Sequence, residues 1–463
     1  MLMKSKATEL SHVFADFVVN TKYEDLSPEA IEGAKKSILD TLGVILAATG
    51  VEPAVKGVHE LVIEAGGRQE STLMGFGGKA PALWAAFHNG AMAHCLDFDD
   101  HAPEGHHPSS SIVPAVFALA ERKGGVTGKQ MIAAVAAGQD MFLRIRRNIP
   151  SRQDWHITTV IGVYSAAAAA SHILGLNREQ TISALGIAGM QCCGTLELAY
   201  GVGSDLRGMY AGFSTKGAVL AALMAEKNIR GVQSMFEGKA GLFNVYFDGE
   251  YNREGMLEDL GTVYSGGDVL YKPWPSCGAS HGFIHATLEL MKQENLRAED
   301  IASIQVHVGD FQKQLCEPIE GRRRPATPAD AKFSIPYCIA VAASKGAVKL
   351  TDFFGDALHD PAVGAMADKI EAVLDENFDW KGMLPKGRLE VKTTDGRTFS
   401  RVGENVPGDV ECPMNWEYLF DKFRESASLA ASAPSKAGIV KAYELVRNLE
   451  NLNDATQVLR TLD

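Results

Sequence analysis

The chain has 463 residues, of which 46% are hydrophobic and 22% are charged, the composition of an ordinary globular protein. This length exceeds what one compact core usually holds, so we expect two domains. The formal net charge of −12 excludes nucleic acid or an anionic membrane as the main partner. An anionic small-molecule substrate would therefore need a locally basic pocket.

Features that would place the chain in or across a membrane are not found in the sequence. No run of about twenty uninterrupted apolar residues occurs, so we expect no membrane-spanning helix. The segment from Met1 to Lys6 is followed by Glu9 and His12 rather than by an apolar signal core. The seven cysteines are scattered and include no Cys-x-x-Cys, so neither a disulfide framework nor an iron–sulfur site is expected. We predict a cytoplasmic protein.

Helical periodicity dominates roughly the first 260 residues. The triplet Ser27-Pro28-Glu29 is typical of a helix start, and it is followed by one apolar face made of Ile31, Ala34, Ile38, Leu42 and Ile45. Further helices are predicted over residues 81–94, 128–147, 160–174 and 214–226. The run of alanines at 166–170 leaves one helix without a polar face, which favours a multi-layer helical bundle or a dimer interface.

The pattern changes after about residue 261, where strands become evident. Residues 304–308 alternate as in a half-buried strand, and Asp395-Gly396 separates two alternating runs as in a hairpin. Helices are predicted over 333–343 and 360–374, and again over 415–459. We therefore predict a mainly α fold. A large all-α domain would comprise residues 1–265, rejoined by 408–463, and a smaller α+β domain would comprise residues 266–407.

The densest group of titratable side chains lies between residues 88 and 107, where five of the thirteen histidines occur together with three aspartates. Its central stretch runs from His94 through Asp97, Asp99 and Asp100 to His101. Prolines and glycines follow directly, so a helix must end here and a loop begin. Catalytic groups are often placed on loops that rigid helices hold.

Four interpretations of this cluster compete. It can be a solvated acidic loop, a metal site without an HExxH-like helical pair, or an acid motif such as that of some terpene cyclases. The 8% aromatic content argues against a cyclase. The fourth interpretation is acid–base chemistry by imidazoles that aspartates orient. A metal-dependent hydrolase using Asp97, Asp99 and the histidines remains the alternative from another class, and a non-catalytic carboxylate-binding protein is the last.

Several motifs are spread over essentially the whole chain. They are LDFDD at 96–100 and HPSSS at 107–111, LDTLG at 39–43, WH-x-T at 155–158, YKPWPSC at 271–277, AKFSIPY at 331–337, TDG at 394–396 and CPM at 412–414. Taken together and in their order along the chain, these motifs resemble the MmgE/PrpD family, which includes 2-methylcitrate dehydratase, cis-aconitate decarboxylase and iminodisuccinate epimerase.

The resemblance implies that four catalytic residues of the family correspond to Asp97, His107, His156 and Lys272. We add His101 as an acid, although many relatives have Thr or Ser at this position. A substrate-binding set is inferred from positions that match or depart from the family pattern, with Arg207 in place of a family lysine, Tyr210 in place of a histidine and Cys277 in place of another histidine, followed by His281.

The resemblance also implies an active site between the two domains, a homodimer, and catalysis without a cofactor or metal. In the expected mechanism, Arg207 and Lys272 hold substrate carboxylates while His107 or His156 removes a proton. The substrate would be a small di- or tricarboxylate. Our main expectation is dehydration of a 2-methylcitrate-like hydroxy acid, with decarboxylation or epimerisation of a related carboxylate as the alternative.

Overall fold

The computed structural model describes residues 8–152, 154–200 and 204–462. The segment from Met1 to Lys6, which we searched for a signal sequence, lies outside these ranges. The described residues are mainly helical, with two small sheets, as the sequence predicted.

The N-terminal part is built from helices that begin at recognisable capping residues. Ser27 accepts a hydrogen bond from the backbone N–H of Ala30, and Thr127 forms a reciprocal pair with Gln130. The helices are α1 Leu10–Asn20, α2 Pro28–Val51, α3 Val55–Ala65, α4 Ala82–His94, α5 Ser109–Lys123, α6 Gly128–Arg147, α7 Ile157–Leu174, α8 Arg178–Ala188, α9 Glu197–Tyr200, α10 Leu206–Glu226, α11 Leu242–Tyr246 and α12 Arg253–Leu257. A short hairpin, β1 Ser71–Thr72 and β2 Lys79–Ala80, precedes α4.

The alanine-rich helix α7 lies in the centre of this bundle. It is the one single helix of the described residues that is long and apolar enough to cross a membrane, but 89% of it is buried inside the protein. The pair α2 and α3 would pass the same test only as one span bent by 98°. Burial on all sides explains why α7 has no polar face.

A four-stranded sheet forms the second part of the molecule, with its third strand along the chain next to its first and its second and fourth strands at the edges. Its strands are β3 Ile301–Val308, β4 Ile370–Leu374, β5 Arg388–Thr393 and β6 Thr398–Val402, and its helices are α13 Gly278–Gln293, α14 Asp310–Lys313, α15 Ile319–Arg323, α16 Pro328–Lys332, α17 Ile335–Lys345 and α18 Pro361–Ala367. The hairpin predicted around Asp395-Gly396 is present as β5 and β6.

One predicted element is wrong. Residues 360–374 were expected to form a single helix, but α18 ends at Ala367 and residues 370–374 form strand β4, parallel to β3. This pairing joins residues more than sixty positions apart, and local periodicity does not report on such contacts.

The C-terminal segment, α19 Trp416–Ser428, α20 Lys436–Arg447 and α21 Gln457–Arg460, packs back on the N-terminal helices. The largest hydrophobic core joins residues of the N-terminal helices to residues of α19, α20 and α21. A separate core lies between Trp274 and Val406. The domain boundaries themselves, 265 and 407, stay a prediction.

Candidate active site

The histidine-aspartate cluster begins where α4 ends. The chain leaves the helix through Asp97, whose φ of 50° lies in the left-handed region and whose N–H donates to the carbonyl of His94 at 2.8 Å. Aspartate tolerates this conformation better than most residues because its short side chain bonds locally. The turn buries Asp97, Asp99 and Asp100 together.

The carboxylate of Asp99 contacts two imidazole rings, one with each oxygen. Its Oδ1 lies 2.8 Å from Nδ1 of His94, and its Oδ2 lies 3.2 Å from Nδ1 of His107. The same nitrogen of His107 lies 2.7 Å from the carbonyl oxygen of Asp100. Because all these partners are acceptors, each Nδ1 carries a proton and each neutral ring keeps its lone pair on Nε2.

Both Nε2 atoms approach Asp97. Oδ1 of Asp97 lies 3.9 Å from Nε2 of His94 and 3.8 Å from Nε2 of His107. The ammonium of Lys272 donates to the same Oδ1 at 2.6 Å and to the backbone carbonyl of Asp97 at 3.0 Å. One carboxylate oxygen is therefore shared by one lysine and two imidazoles.

Opposite charges in the cluster stabilise the ionised forms of their neighbours. Burial opposes ionisation of Asp97 and Asp99, but the imidazoles of His94 and His107, joined at Asp97 by Lys272, outweigh it, so the pKa of each carboxyl is lowered. Burial likewise disfavours the cationic form of His107, yet Asp99 prevails and raises its pKa. The neighbouring carboxylates thus favour the cationic form of the His107 imidazole.

His156 precedes α7 as its N-cap residue, but its side chain makes no capping bond. Its ring centre lies 4.3 Å from that of Tyr210, with the two rings tilted, and the Tyr210 ring centre lies 4.4 Å from that of His94. Burial, with the nearby charges of His94 and His107, lowers the pKa of His156 to about 3. Its buried Nδ1 has no hydrogen-bond partner within the described ranges, so it is available to a ligand.

Of the remaining predicted residues, three line the same cavity and one does not. His101 donates from Nδ1 to the carbonyl of Ala102 at 2.8 Å. Arg207 stacks its guanidinium 3.3 Å above the ring centre of Phe333, and Cys277 lies just before α13. His281 is buried one turn into α13, with Nε2 3.1 Å from the carbonyl of Ser276, away from the cavity lining.

The cavity has a volume of about 1100 Å³ and lies between the two cores. Its floor contains Asp97, His101, His107, His156 and Lys272. Its opposite wall comes from the segment around the second core, namely Phe311, Gln314, Arg322, Phe333, Trp380 and Leu384. Both Arg207 and Arg322 contact Phe333, Arg207 over its ring and Arg322 through Nη1, which donates to its carbonyl at 3.0 Å. A basic, half-enclosed chamber of this kind suits a small polyanion.

Three residues in or around the cavity were not among the predicted site residues. His94 and Asp99 belong to the cluster but were given no role in the expected acid–base mechanism, although the spacing of His94 from Asp97 by one helical turn was a usable signal. Arg322 lies more than a hundred residues downstream of Arg207, in a run of three arginines that carries no motif.

The alternative of a metal site also has candidate ligands. His94, Asp99 and His107 each offer one ligand atom, and these atoms lie within 4.8 Å of one another. The set differs from the predicted one, since Asp97 is not part of it. In this structure Asp99 hydrogen-bonds His94 and forms an ion-pair contact with His107.

Comparisons with known proteins agree with this geometry. The family model of the MmgE/PrpD N-terminal domain matches residues 12–254, and that of the MmgE/PrpD C-terminal domain matches residues 274–445. Cis-aconitate decarboxylase from Aspergillus terreus is 27% identical over 470 residues, covering 96% of this chain and 94% of the relative. The human cis-aconitate decarboxylase is 25% identical, covering 100% of this chain and 95% of the relative.

A second group of relatives is similar over a shorter range. The 2-methylcitrate dehydratase of Salmonella typhimurium is 28% identical over 418 residues, which is 85% of this chain and 84% of the relative. The matched ranges of the two family models take in every residue of the cluster except Lys272, which lies just before the second range. The chain belongs to the MmgE/PrpD family.

Proposed function

We propose that the protein is a lyase that decarboxylates cis-aconitate or a closely similar unsaturated tricarboxylate. The observation that carries this proposal is the cluster in which Asp99 orients His94 and His107 while Lys272 and Asp97 form a buried ion pair. All of these except Asp99 line the basic chamber. Relatives that share the full length of the chain and are named cis-aconitate decarboxylases support it. We place the enzyme in the cytoplasm, as a homodimer.

The state of His101 argues against the role that the expected dehydration gave it. Dehydration needs an acid that protonates the departing hydroxyl, and we had assigned this role to His101. Burial and the charge of Lys272 lower the pKa of His101 to about 3, so the ring is neutral at pH 7 and a poor proton donor. Decarboxylation needs one proton donor, and His107 supplies it.

In the first step of the proposed reaction, cationic side chains of the chamber bind the substrate. Arg207 and Lys272 hold two carboxylates of the substrate, and they stabilise the negative charge that develops beside one of them. The bond to the third carboxylate breaks, carbon dioxide leaves, and its electron pair forms a new carbon–carbon double bond. The pair of the original double bond moves to the carbon next to a held carboxylate. That carbon takes a proton from His107, which regains one from solvent.

Proton NMR in deuterated buffer tests the reaction class. The panel is cis-aconitate, 2-methylcitrate, citrate and aspartate-derived dicarboxylates, each with and without chelator. We expect cis-aconitate to lose carbon dioxide and the product to carry one deuterium per turnover. Elimination of water from 2-methylcitrate, with cis-aconitate unchanged, would overturn decarboxylation and establish dehydration in its place.

Matched histidine variants test the residue assignment. His107→Gln removes the proton donor, and we expect kcat to fall about 10²–10⁴-fold. His359→Gln is the control, because His359 is exposed and outside the chamber. Equal activity of the two variants would remove His107 from the mechanism.

Dehydration remains the second candidate, because the 2-methylcitrate dehydratases match most of the chain. Their range ends short of the full length, whereas the decarboxylases cover nearly all of it. Epimerisation would appear in the same NMR experiment as deuterium exchange without loss of carbon dioxide or water.

Elemental analysis tests the metal-dependent alternative. The three groups His94, Asp99 and His107 would hold the ion if one were resident. Stoichiometric zinc or iron in the purified protein, together with loss of turnover in chelator, would establish a metalloenzyme. Chelator-resistant turnover by protein free of metal would establish the proton-based mechanism.

A further inference from the structure

Three buried lysines converge on one short loop. Lys332 donates to the carbonyl of Cys95 at 2.9 Å, and Lys272 donates to the carbonyl of Asp97 at 3.0 Å. Lys422 donates to the carbonyl of Phe98 at 2.7 Å. Three of the four carbonyls between residues 95 and 98 therefore face a buried ammonium group.

These lysines come from remote parts of the chain. Their sequence distances from the carbonyls they bind are 237 residues for Lys332, 175 for Lys272 and 324 for Lys422. Lys332 ends α16, which packs with the second core, whereas Lys422 lies on α19 of the C-terminal segment. The loop is thus tied to both cores and to the segment that precedes α13.

Placing three ammonium groups around one loop is electrostatically costly. The charge of Lys272 opposes the charged forms of both Lys332 and Lys422, and burial lowers the pKa of each of these two lysines. Compensation comes from Asp40, whose Oδ1 lies 2.6 Å from Lys422, and from the aromatic ring of Phe98, 3.9 Å away. Costly arrangements of this kind persist where they hold a functional geometry.

We propose that Lys332 and Lys422 are positioning residues that hold the loop 95–98 so that Asp97 keeps its left-handed conformation. Neither lysine contacts the reacting atoms. Each acts through the backbone carbonyl that it binds. With the loop held, Oδ1 of Asp97 stays in reach of Lys272, His94 and His107. The proposal rests on the proposed function, because its kinetic readout uses the decarboxylation of cis-aconitate.

The first test replaces each lysine by methionine, which keeps the length of the side chain and removes the charge. Lys36→Met is the matched control, since half-buried Lys36 also joins an N-terminal helix to a C-terminal carbonyl, that of Met414, at 3.0 Å. We expect kcat to fall about 10²-fold in Lys332→Met and Lys422→Met with KM changed less than about threefold, because misplacement of a catalytic group lowers turnover rather than affinity. Lys36→Met should keep the kcat of the wild type.

Hydrogen–deuterium exchange provides a second readout that does not depend on turnover. In both methionine variants we expect amides of residues 95–101 to exchange about tenfold faster, while the control leaves them unchanged. Unchanged exchange in both variants would overturn the proposal whatever the activity. A wild-type protein that leaves cis-aconitate intact, with faster exchange in the variants, would overturn the proposed function and leave the loop restraint standing.

Arginine variants keep the experiment decisive if a methionine variant does not fold. Lys332→Arg and Lys422→Arg retain the cation and donor but in a bulkier, planar group. We expect these variants to recover part of the kcat, at wild-type KM and with near-wild-type exchange. Wild-type kcat in every folded methionine variant, or a raised KM with unchanged kcat, would overturn the positioning role.

Discussion

At the scale of single residues, the central feature is one carboxylate that contacts two imidazole rings. Asp99 is fully buried, accepts a hydrogen bond from Nδ1 of His94 and lies 3.2 Å from Nδ1 of His107, so that both Nε2 atoms lie toward Asp97. A base or acid is useful only in the correct tautomer, and a carboxylate partner decides which ring nitrogen bears the proton. Asp99 therefore controls two rings without touching the substrate.

Replacing Asp99 by asparagine tests this role. The amide keeps the shape but offers an N–H where an acceptor is needed, so we expect kcat to fall about 10²–10⁴-fold. The measurement is kcat and KM on cis-aconitate, with circular dichroism to show that the fold is kept. An Asp99→Asn protein with wild-type kcat would show that the tautomers are set by other groups.

The buried imidazole of His88 should make the folding free energy depend on pH. It is fully buried on α4, and burial lowers its pKa from 6.5 to about 4. Below about pH 6.5 the unfolded chain binds this proton while the folded protein does not, so acidification favours unfolding. From pH 7 to pH 5 we expect this residue alone to remove about 2 kcal/mol of folding free energy.

The check is urea unfolding of the wild type and His88→Gln at pH 7 and pH 5. The variant has no imidazole to protonate, so its loss of stability between the two pH values should be smaller by that amount. Parallel losses in the two proteins would contradict the expected titration of His88.

At the scale of elements, α4 and α10 approach each other through glycines. A Cβ added at Gly212 would lie 2.8 Å from the carbonyl oxygen of Phe87 and 2.9 Å from the amide nitrogen of Ala91. The two helices carry the start of the catalytic loop and the residues Arg207 and Tyr210. Their close contact therefore sets the distance between the imidazoles and one wall of the chamber.

Gly212→Ala should separate these helices, because the contact atoms are backbone and cannot rotate away. We expect a loss of about 1–3 kcal/mol in unfolding free energy and a lower kcat. Gly57→Ala is the matched control on α3, where an added Cβ meets nothing within 4 Å. It should raise stability by about 0.5–1 kcal/mol. A Gly212→Ala variant as stable as Gly57→Ala would refute the tight contact.

At the scale of the whole molecule, the structure leaves an apolar face on α10. Leu206 and Phe213 are 53% and 42% exposed, and their spacing of seven residues puts them on one side of the helix. Exposed apolar side chains so arranged are typical of a subunit interface. We expect the homodimer implied by the family resemblance to use this face.

Light scattering after size-exclusion chromatography measures the expected mass. The wild type should elute as a dimer and Phe213→Asp as a monomer, because a buried carboxylate in an apolar interface is unfavourable. Val440→Asp on α20 is the control, since Val440 is 43% exposed and lies elsewhere on the surface. A dimeric Phe213→Asp protein would exclude this face as the interface.

Much of the fold follows from local patterns. The caps Ser27 and Thr127, the apolar stripe of α2 and the turn residues Asp395-Gly396 are signals that act within a few residues, and each produced the element that was predicted. Strand β4 did not follow, because it exists through its pairing with β3 and not through its own alternation. The motifs of the chain were likewise sufficient to indicate the family.

The contacts within the site could be identified only from the tertiary structure. The sequence alone determined that histidines and aspartates gather after α4, that Lys272 accompanies them and that the family is MmgE/PrpD. Only the folded chain decided that Asp99 contacts two rings, that His281 lies outside the chamber and that Lys332 and Lys422 reach the loop. The physical reason is that these contacts depend on distance and burial, which long-range packing sets and which no short stretch of sequence encodes.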